Sequence, residues 1–559
     1  MSVLDAADPA APAAVHRAPR WGLWSAALLI LVVVVAALGD PATNSGSDAG
    51  AKLATVASIA DHGLDGGDLG YWAEEADPTG THRPFTFGVR TARGWVHATG
   101  ATMPLLAALG WIVGGALGAL WPALVAVPIG ALGAARLART LGARTGAYAF
   151  WILGAASPLT FYGLDQWEHA PALAASIWAI ALLWERPVGW AIVRLGLIAG
   201  LAVALRRETA ILLTLVGLVA LADDDDRRHW LGQVRPMVAG LMGAAATIVA
   251  ADLLDRRVLG RTLSNKASSQ AREASGVSID GDSDVLLTTI AQYTTTETTY
   301  LLLSALTLVG AALAARGWRD DDTPFAVLGA GLLLGGVALR WSIAGAVFVP
   351  GAFAVLPVVA AVPMVAHRAG RRLGLAAIAA TLITLAVQDV GALAAQWGGR
   401  YLLVPAAILA IVALAGIERL QAERGGRTDP LRVVPAVLLA STALLGVLGL
   451  WWHVERADQL AESRDAVFAV VGDDVVISTH SHFPREIAVD VGDKPWLLAA
   501  GDIDAAIAVA EEAAPGVPIW VLEPISCPGG TCSDVPDGAL VVARLGGDSA
   551  WFLLTREGS

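Results

Sequence analysis

Charged residues are scarce in this chain of 559 residues. Only 16% of the residues are Asp, Glu, Lys or Arg, whereas 55% are hydrophobic. A single globular core cannot hide so much apolar surface in a protein of this length. The scarcity of charge therefore argues against a water-soluble protein, and the composition predicts a membrane protein whose helices face lipid.

Cysteine is also nearly absent. The two cysteines, Cys527 and Cys532, flank a turn-rich Pro-Gly-Gly-Thr sequence near the C-terminal end. This spacing suits a disulfide in an oxidising compartment, with two free thiols as the alternative. A lone pair of cysteines does not indicate a zinc site. No cofactor is indicated, and a divalent metal is left open.

The negative charge is concentrated at the C-terminal end. Residues 453–559 contain 18 Asp and Glu but only 6 Lys and Arg, which accounts for the whole net charge of −12. Strand-like runs alternate there with a helix-like stretch at Ile503–Ala514, and these runs are Asp474–Ser478, Val517–Leu522 and Leu540–Arg544. The pattern predicts a small α/β domain, in which Thr479–Arg485 is interpreted as an exposed polar loop. No nucleic-acid partner is predicted.

Long apolar segments occupy the rest of the chain. The first, Trp21–Leu38, follows Arg17 and Arg20, and positive charge before a span keeps the preceding tail in the cytoplasm. When the spans are counted in order, the later arginine-rich loops also fall on the cytoplasmic side. We therefore predict a polytopic α-helical membrane protein with about 13 spans. Met103–Leu117 is interpreted as a helix on the outer face, because counting it as a span would place the arginine loops outside.

This topology predicts three parts. They are a cytoplasmic tail at 1–20, a transmembrane domain at 21–452 with a first outer loop at 40–120, and an acidic extracytoplasmic α/β domain at 453–559. Ionisable residues are nearly absent from the spans and gather in the outward loops, where such groups are often functional. Asp48 opens an amphipathic helix pattern that ends at Gly63.

Other short motifs follow in the outward loops. They are Asp165-Gln-Trp-Glu-His169, Leu205-Arg-Arg-Glu-Thr209 and Trp397-Gly-Gly-Arg-Tyr-Leu-Leu-Val-Pro405. Taken in order from Trp21 to about Trp452, the set resembles the GT-C superfamily of polyprenyl-phosphate-dependent glycosyltransferases, which includes protein mannosyltransferases and the aminoarabinose and arabinosyl transferases. One departure is that the family often has two adjacent acids in the first loop, whereas Ser47 precedes Asp48 here.

The resemblance implies a reaction and roles for its residues. A sugar would pass from a polyprenyl-phosphate donor to a hydroxyl of a glycan, lipid or protein acceptor outside the cytoplasmic membrane, with membrane lipid around the enzyme and an inverting outcome. Asp48 would be the general base. Guanidinium groups match phosphate oxygens, and those implied for the donor are Arg206, Arg207 and Arg400. The residues implied for the acceptor or a second site are Asp165, Glu168, His169 and Glu208.

Two other functions stay open. A transporter or lipid flippase would be expected to show charges within its spans and paired halves, and the sequence shows no internal repeat of that sort. A relative without catalytic activity could serve as a scaffold for assembly of the cell envelope. For the arginines, the alternative is a role at the ends of spans, where long side chains reach the headgroups.

Overall fold

A computed structural model describes residues 19–43, 47–85, 88–97, 99–222, 224–260, 298–342, 351–387, 399–424, 430–492, 494–525, 540–544 and 551–557. Most of these residues are helical. The helices up to residue 342 are α1 (Trp21–Leu38), α2 (Ser47–His62), α3 (Thr102–Ala119), α4 (Trp121–Thr140), α5 (Ala147–Ala155), α6 (Pro158–Phe161), α7 (His169–Trp184), α8 (Trp190–Leu205), α9 (Thr209–Leu221), α10 (Asp224–Leu231), α11 (Val234–Leu259), α12 (Thr298–Asp320) and α13 (Thr323–Ser342).

The later helices are α14 (Val362–Val365), α15 (Arg368–Val387), α16 (Leu403–Glu423), α17 (Val433–Val471), α18 (Phe483–Glu486), α19 (Ala488–Val491) and α20 (Ile503–Ala513). The strands are β1 (Gly88–Thr91), β2 (Gly94–His97), β3 (Val475–Ser478), β4 (Trp496–Leu498), β5 (Ile519–Ile525), β6 (Leu540–Arg544) and β7 (Trp551–Glu557). The predicted helix from Asp48 to Gly63 thus corresponds to α2.

Eight helices in the described ranges, α3 among them, have the length and apolar composition of a membrane span when they are taken as straight helices, and α7, α8 and α9 are shorter apolar helices. The protein is therefore a mostly helical membrane protein, and the count of 13 spans stays a prediction. The helix α16 is 94% buried over its apolar window and α4 is 72% buried, whereas α11 is only 6% buried. Accordingly, α16 and α4 form the centre of the bundle and α11 lies at its periphery.

The helix α3 is folded in the middle. Gly114 and Gly115 have non-helical backbone angles, and φ of Gly115 is +58°. A Cβ atom on Gly110 would lie 2.1 Å from the carbonyl oxygen of Gly118, although eight residues of straight helix would separate the two by about 12 Å. The chain therefore reverses at the glycine pair. Its longer arm, about 12 residues, is too short to cross a bilayer, which supports the interpretation of this segment as a surface helix.

The helix α17 is the longest in the described part of the chain. Its 39 residues correspond to about 58 Å, so it continues well beyond Trp452. The domain boundary predicted at 452/453 therefore falls inside one continuous helix. The extension contacts the segment after α1, where the Thr43 hydroxyl donates to the carbonyl oxygen of Ala457 at 2.8 Å and Arg464 lies 3.1 Å from Asp40.

The C-terminal strands form one five-stranded sheet in the order β4-β3-β5-β7-β6. Parallel pairing joins β3 to β4 and β5, and β7 runs antiparallel to β5 and β6. The three predicted strands and the predicted helix are present within one or a few residues. Cys527 and Cys532 lie outside the described residues, so their disulfide stays a prediction.

The segment after α2 packs against the edge of this sheet. The indole N–H of Trp72 donates to the carbonyl oxygen of Trp496 at 3.0 Å. His82 makes two contacts with the backbone of Leu498. The His82 carbonyl oxygen accepts from the Leu498 N–H at 2.7 Å, and the His82 Nδ1 lies 2.9 Å from the Leu498 carbonyl oxygen. The predicted first loop and the C-terminal sheet are thus held together around α2.

Candidate functional site

The first turn of α2 provides two oppositely charged side chains. Asp48 lies at the start of the helix, where the helix dipole favours an acidic residue, and Lys52 follows one turn later on the same face. The Lys52 side chain is only 1% exposed and that of Asp48 is 18% exposed. This face of α2 is therefore turned into the protein.

Arg400 meets Asp48 from the other end of the chain. Its Nη1 donates to Oδ2 of Asp48 at 3.3 Å, and its Nη2 donates to the hydroxyl of Tyr401 at 2.9 Å. Gly399 precedes it with φ of +63°, a conformation that glycine adopts without strain. The turn at Gly399 and the short 3-10 helix Arg400–Leu402 place the guanidinium group beside α2 at the entry to α16.

A second group of charges surrounds Glu168. Its carboxylate is ion-paired with Lys52 and accepts from Nη1 of Arg206 at 3.3 Å. Arg206 also donates from Nε to Glu208 at 2.5 Å. All four side chains are at most 15% exposed. Removing one partner would leave a buried charge uncompensated, so these residues depend on one another.

Two aromatic rings complete the arrangement. Lys52 and Arg400 lie 4.4 and 5.0 Å from the centre of the Trp167 ring, and Arg206 and Arg400 each lie 4.9 Å from the centre of the Tyr401 ring. Cations at these distances over an aromatic face are attracted by the ring quadrupole. The rings therefore hold three positive charges close together without neutralising them.

A cleft that is open to solvent lies beside these residues. Its polar wall is formed by His169, Arg206, Glu208, Arg400 and Tyr401. Its apolar wall includes Leu212 from α9, Ala380 from α15 and Leu403 from α16. The cleft thus joins an end that presents two arginines and one glutamate to a surface of membrane helices, and the guanidinium groups suit a ligand with an anionic head and an apolar tail.

The C-terminal part of the chain also reaches Asp48. Nη1 of Arg485, in α18, lies 4.0 Å from Oδ1 of Asp48, and its Nε donates to the carbonyl oxygen of Ser481 at 3.0 Å. Close backbone packing brings the two helices together, since a Cβ on Gly50 would lie 1.7 Å from the carbonyl oxygen of Arg485. Asp48 is therefore held between guanidinium groups from two distant segments.

These charges set the protonation of the acids. Burial alone raises the pKa of Asp48, but Arg400, then His97 and then Arg485 more than offset it, and the net pKa lies well below the ordinary value. Glu168 behaves alike, because Lys52 and Arg206 outweigh burial and lower its pKa to about 2. Both acids are carboxylates at neutral pH.

The structure brings most of the residues singled out in the sequence to this place, but not all. Arg207 is 47% exposed and pairs with Asp252 of α11 at 3.0 Å, so it is directed away from the cleft. Asp165 is buried and accepts from the backbone N–H of Gln166 at 2.7 Å, which fixes the turn that carries Glu168 and His169. The catalytic and binding roles themselves stay predictions.

Sequence reasoning missed three contributors. Lys52 could have been found from its spacing of four residues after Asp48, whereas nothing in the sequence indicates that Arg485 or Trp167 meets α2. The interpretation of Thr479–Arg485 as an exposed polar loop is wrong at its end, because Arg485 is 1% exposed where α18 packs on α2. In the described ranges, no group of three or more His, Cys, Asp or Glu side chains is placed to hold a metal ion.

Comparisons with known proteins give structural neighbours only. No protein-family model and no curated protein sequence matches the chain. The structure is similar to the oligosaccharyltransferase of Archaeoglobus fulgidus in complex with zinc and sulfate, at 12% identity and a TM-score of 0.47 over 89% of this chain and 68% of that one. It is similar to ArnT from Cupriavidus metallidurans bound to undecaprenyl phosphate, at 13% identity and a TM-score of 0.42 over 95% and 97%.

The resemblance of the sequence motifs to the GT-C superfamily stays a prediction. At TM-scores below 0.5 the likeness assigns no residue, sugar or acceptor to this chain.

Proposed function

We propose that this membrane protein is a GT-C type glycosyltransferase, which moves a sugar from a polyprenyl-phosphate carrier to an acceptor hydroxyl at the outer face of the cytoplasmic membrane. The observation that carries the proposal is the pair of Asp48 and Arg400 beside a cleft that also presents Arg206. A carboxylate next to guanidinium groups is the minimum that this reaction requires, because the donor already has phosphate as its leaving group.

The chemical step assigns one task to each side chain. The acceptor hydroxyl gives its proton to the carboxylate of Asp48, while its oxygen forms a bond to the anomeric carbon of the sugar. The bond from that carbon to the phosphate oxygen breaks, and its electron pair leaves with the polyprenyl phosphate. Arg400 and Arg206 meet the extra negative charge that develops on the phosphate.

The apolar wall of the cleft supports a lipid-linked donor. Leu212, Ala380 and Leu403 come from three apolar helices that continue the surface beyond the charged end. A polyprenyl chain can lie along such helices while its phosphate stays with the arginines. A free nucleotide sugar would have no use for this apolar surface.

Donor binding would also activate the base. Without a ligand, Arg400 is the strongest of the charges that lower the pKa of Asp48. A donor phosphate that engages Arg400 partly neutralises it, and the pKa of Asp48 then rises. The carboxylate becomes a better base only when a donor is present, which couples proton transfer to an occupied site.

The outer location rests on the positive-inside pattern of the arginine-rich loops. On that topology, α2, the turn at Asp165 and the entry to α16 all lie on the side that carries the acidic C-terminal segment. The contact of Arg485 with Asp48 supports a role for this segment in completing the catalytic site. The acceptor is proposed only as a hydroxyl of a glycan, lipid or protein.

The test uses purified protein in lipid nanodiscs and a panel of radiolabelled polyprenyl-phosphate sugars, with a membrane glycan fraction as acceptor. The proposal expects loss of label from one donor and its appearance on the acceptor. The same donors are placed in one leaflet of proteoliposomes. A donor that crosses to the other leaflet uncleaved, with no transfer in either format, contradicts the enzyme and supports a flippase.

A further inference from the structure

The turn between α6 and α7 contains polar atoms that are buried without partners. Tyr162, Gln166 and His169 are at most 2% exposed. Among the residues that the structure describes, the Tyr162 hydroxyl, both amide atoms of Gln166 and both ring nitrogens of His169 have no hydrogen-bond partner. Five such atoms within eight residues are unusual, because buried polar groups are nearly always satisfied.

One of these side chains lines the cleft, a second packs against it, and Gln166 lies three residues before it in the same turn. His169 forms part of its polar wall together with Arg206 and Arg400. The Tyr162 ring lies against His169 with ring centres 4.7 Å apart, and the Trp167 ring contacts His169 from another direction at 4.7 Å. These tilted and edge-on ring contacts hold Tyr162 and His169 in place, so the polar atoms of both rings are positioned in advance of a ligand.

The chemistry of the three side chains restricts that ligand. A phenol, a carboxamide and an imidazole offer both donors and acceptors, as a hydroxyl group requires. The nearby carboxylates are already engaged, since Glu168 pairs with Lys52 and Arg206, Glu208 pairs with Arg206, and Asp165 accepts from the backbone N–H of Gln166. The arrangement suits sugar hydroxyls and leaves no spare carboxylate of this group for the ammonium of an aminosugar.

We propose that Tyr162, Gln166 and His169 form a subsite that binds the hydroxyl groups of an uncharged sugar on the donor phosphate. This inference rests on the proposed function, because the sugar is delivered by the lipid phosphate that Arg206 and Arg400 bind. The donor therefore carries a neutral, hydroxyl-bearing sugar. The subsite distinguishes this donor from the carrier lipid phosphate that has no sugar.

The test is a binding experiment that needs no turnover. Protein in nanodiscs is titrated with undecaprenyl phosphate, with undecaprenyl-phosphate glucose, mannose, galactose and arabinose, and with an undecaprenyl-phosphate aminosugar. We expect at least one neutral-sugar lipid to bind more tightly than the bare lipid phosphate, and the aminosugar lipid to show no such gain. Each lost hydrogen bond is expected to weaken binding by about three- to tenfold.

Two conservative variants isolate the subsite. Tyr162→Phe removes only the hydroxyl, and Gln166→Met keeps the length of the side chain. Both are expected to lose the preference for the neutral sugar and to keep the affinity for bare undecaprenyl phosphate. Because the deleted atoms have no partner in the free protein, both variants should unfold at the same temperature as wild type or higher. Gln459→Leu on the extension of α17 is the matched control and should change neither affinity.

The outcomes separate the two levels of the proposal. A preference for the neutral sugar that survives in both variants overturns the subsite and leaves the proposed function standing. The same holds if wild type shows no sugar preference while Arg400→Gln weakens the binding of bare lipid phosphate. A clear drop in the unfolding temperature of the free variants also overturns it, because the atoms then have partners without a ligand. Absence of any lipid-phosphate binding removes the proposed function and the subsite together.

Discussion

Asp48 and Arg400 are 352 positions apart in the sequence, yet Nη1 of Arg400 lies 3.3 Å from Oδ2 of Asp48. The pair joins the helix after the first span to the entry of the central helix α16. In the proposed reaction the two side chains have separate tasks, one taking a proton and the other meeting phosphate. Substitutions of Arg400 and of Asp48 therefore have different expected effects on donor binding and on transfer.

The first prediction concerns Arg400→Gln. Loss of the guanidinium group removes a phosphate partner, and we expect the affinity for undecaprenyl phosphate to fall by about 10- to 100-fold, as for a charge-assisted hydrogen bond. Titration in nanodiscs measures this. Arg93→Gln is the matched control, because Arg93 is partly exposed and pairs with Asp65 on the surface. Equal affinities in the Arg400 variant and wild type would contradict the role of Arg400.

Arg485→Gln is predicted to change the pH dependence of transfer. Arg485 lowers the pKa of Asp48, so its loss raises that pKa. The base acts as a carboxylate, and activity is lost as the pH falls through its pKa. The acid limb of the rate profile should therefore move to higher pH in Arg485→Gln, and Arg485→Lys should restore part of the shift.

A variant that only damaged the packing of α18 would lower the rate at every pH without moving the limb. That result would assign Arg485 a structural role and no influence on Asp48. The unfolding temperature, measured on the same preparations, shows whether part of the loss in rate comes from a loss of folded protein.

Gly50→Ala tests the close approach of α2 and α18. A Cβ at this position would lie 1.7 Å from the carbonyl oxygen of Arg485, so the helices must separate. We expect a loss of about 1–3 kcal/mol in the free energy of unfolding, in line with overpacked sites. Gly217→Ala in α9 is the control, because no atom lies within 4 Å of its Cβ position. Equal unfolding temperatures for Gly50→Ala and wild type would show that α18 does not press on α2.

Glu418→Gln tests a contact far from the cleft. Glu418 of α16 accepts from the N–H and the hydroxyl of Thr145 at 2.5 and 2.7 Å and from the Gly146 N–H at 3.1 Å. Replacing the charge weakens these bonds at the start of α5, and we expect a loss of about 1–3 kcal/mol in unfolding free energy. Glu423→Gln, in an exposed pair with Arg419, should cost less than about 0.5 kcal/mol. Thermal unfolding measures both losses. Equal losses of unfolding free energy in Glu418→Gln and Glu423→Gln would contradict a stabilising role for the Glu418 contact.

The sequence predicted those features that depend on local pattern. Apolar runs identified the membrane helices, the amphipathic pattern after Asp48 predicted α2, and strand-like runs predicted β3, β5 and β6. The strands β4 and β7 were missed. At three residues β4 is too short to show a pattern, whereas the Gly-Gly-Asp-Ser sequence before β7 is a turn signal that could have indicated the strand.

The site was only partly predictable because its members come together through tertiary packing. Asp48, Arg206, Glu168 and Arg400 were found because each lies in a charged motif between apolar runs. Arg207 has the same sequence context as Arg206, and only the direction of its side chain toward Asp252 separates them. Arg485 belongs to a segment that no periodic pattern relates to α2.

The most direct test of the central claim compares Asp48→Asn with Asp61→Asn in the transfer assay. Both substitutions remove one charge from α2, but Asp61 is exposed at the far end of the helix. We expect Asp48→Asn to transfer sugar at least about 100-fold more slowly than wild type while it still binds the donor and unfolds at a similar temperature. Asp61→Asn should behave as wild type. Equal transfer rates in the two variants would contradict Asp48 as the base.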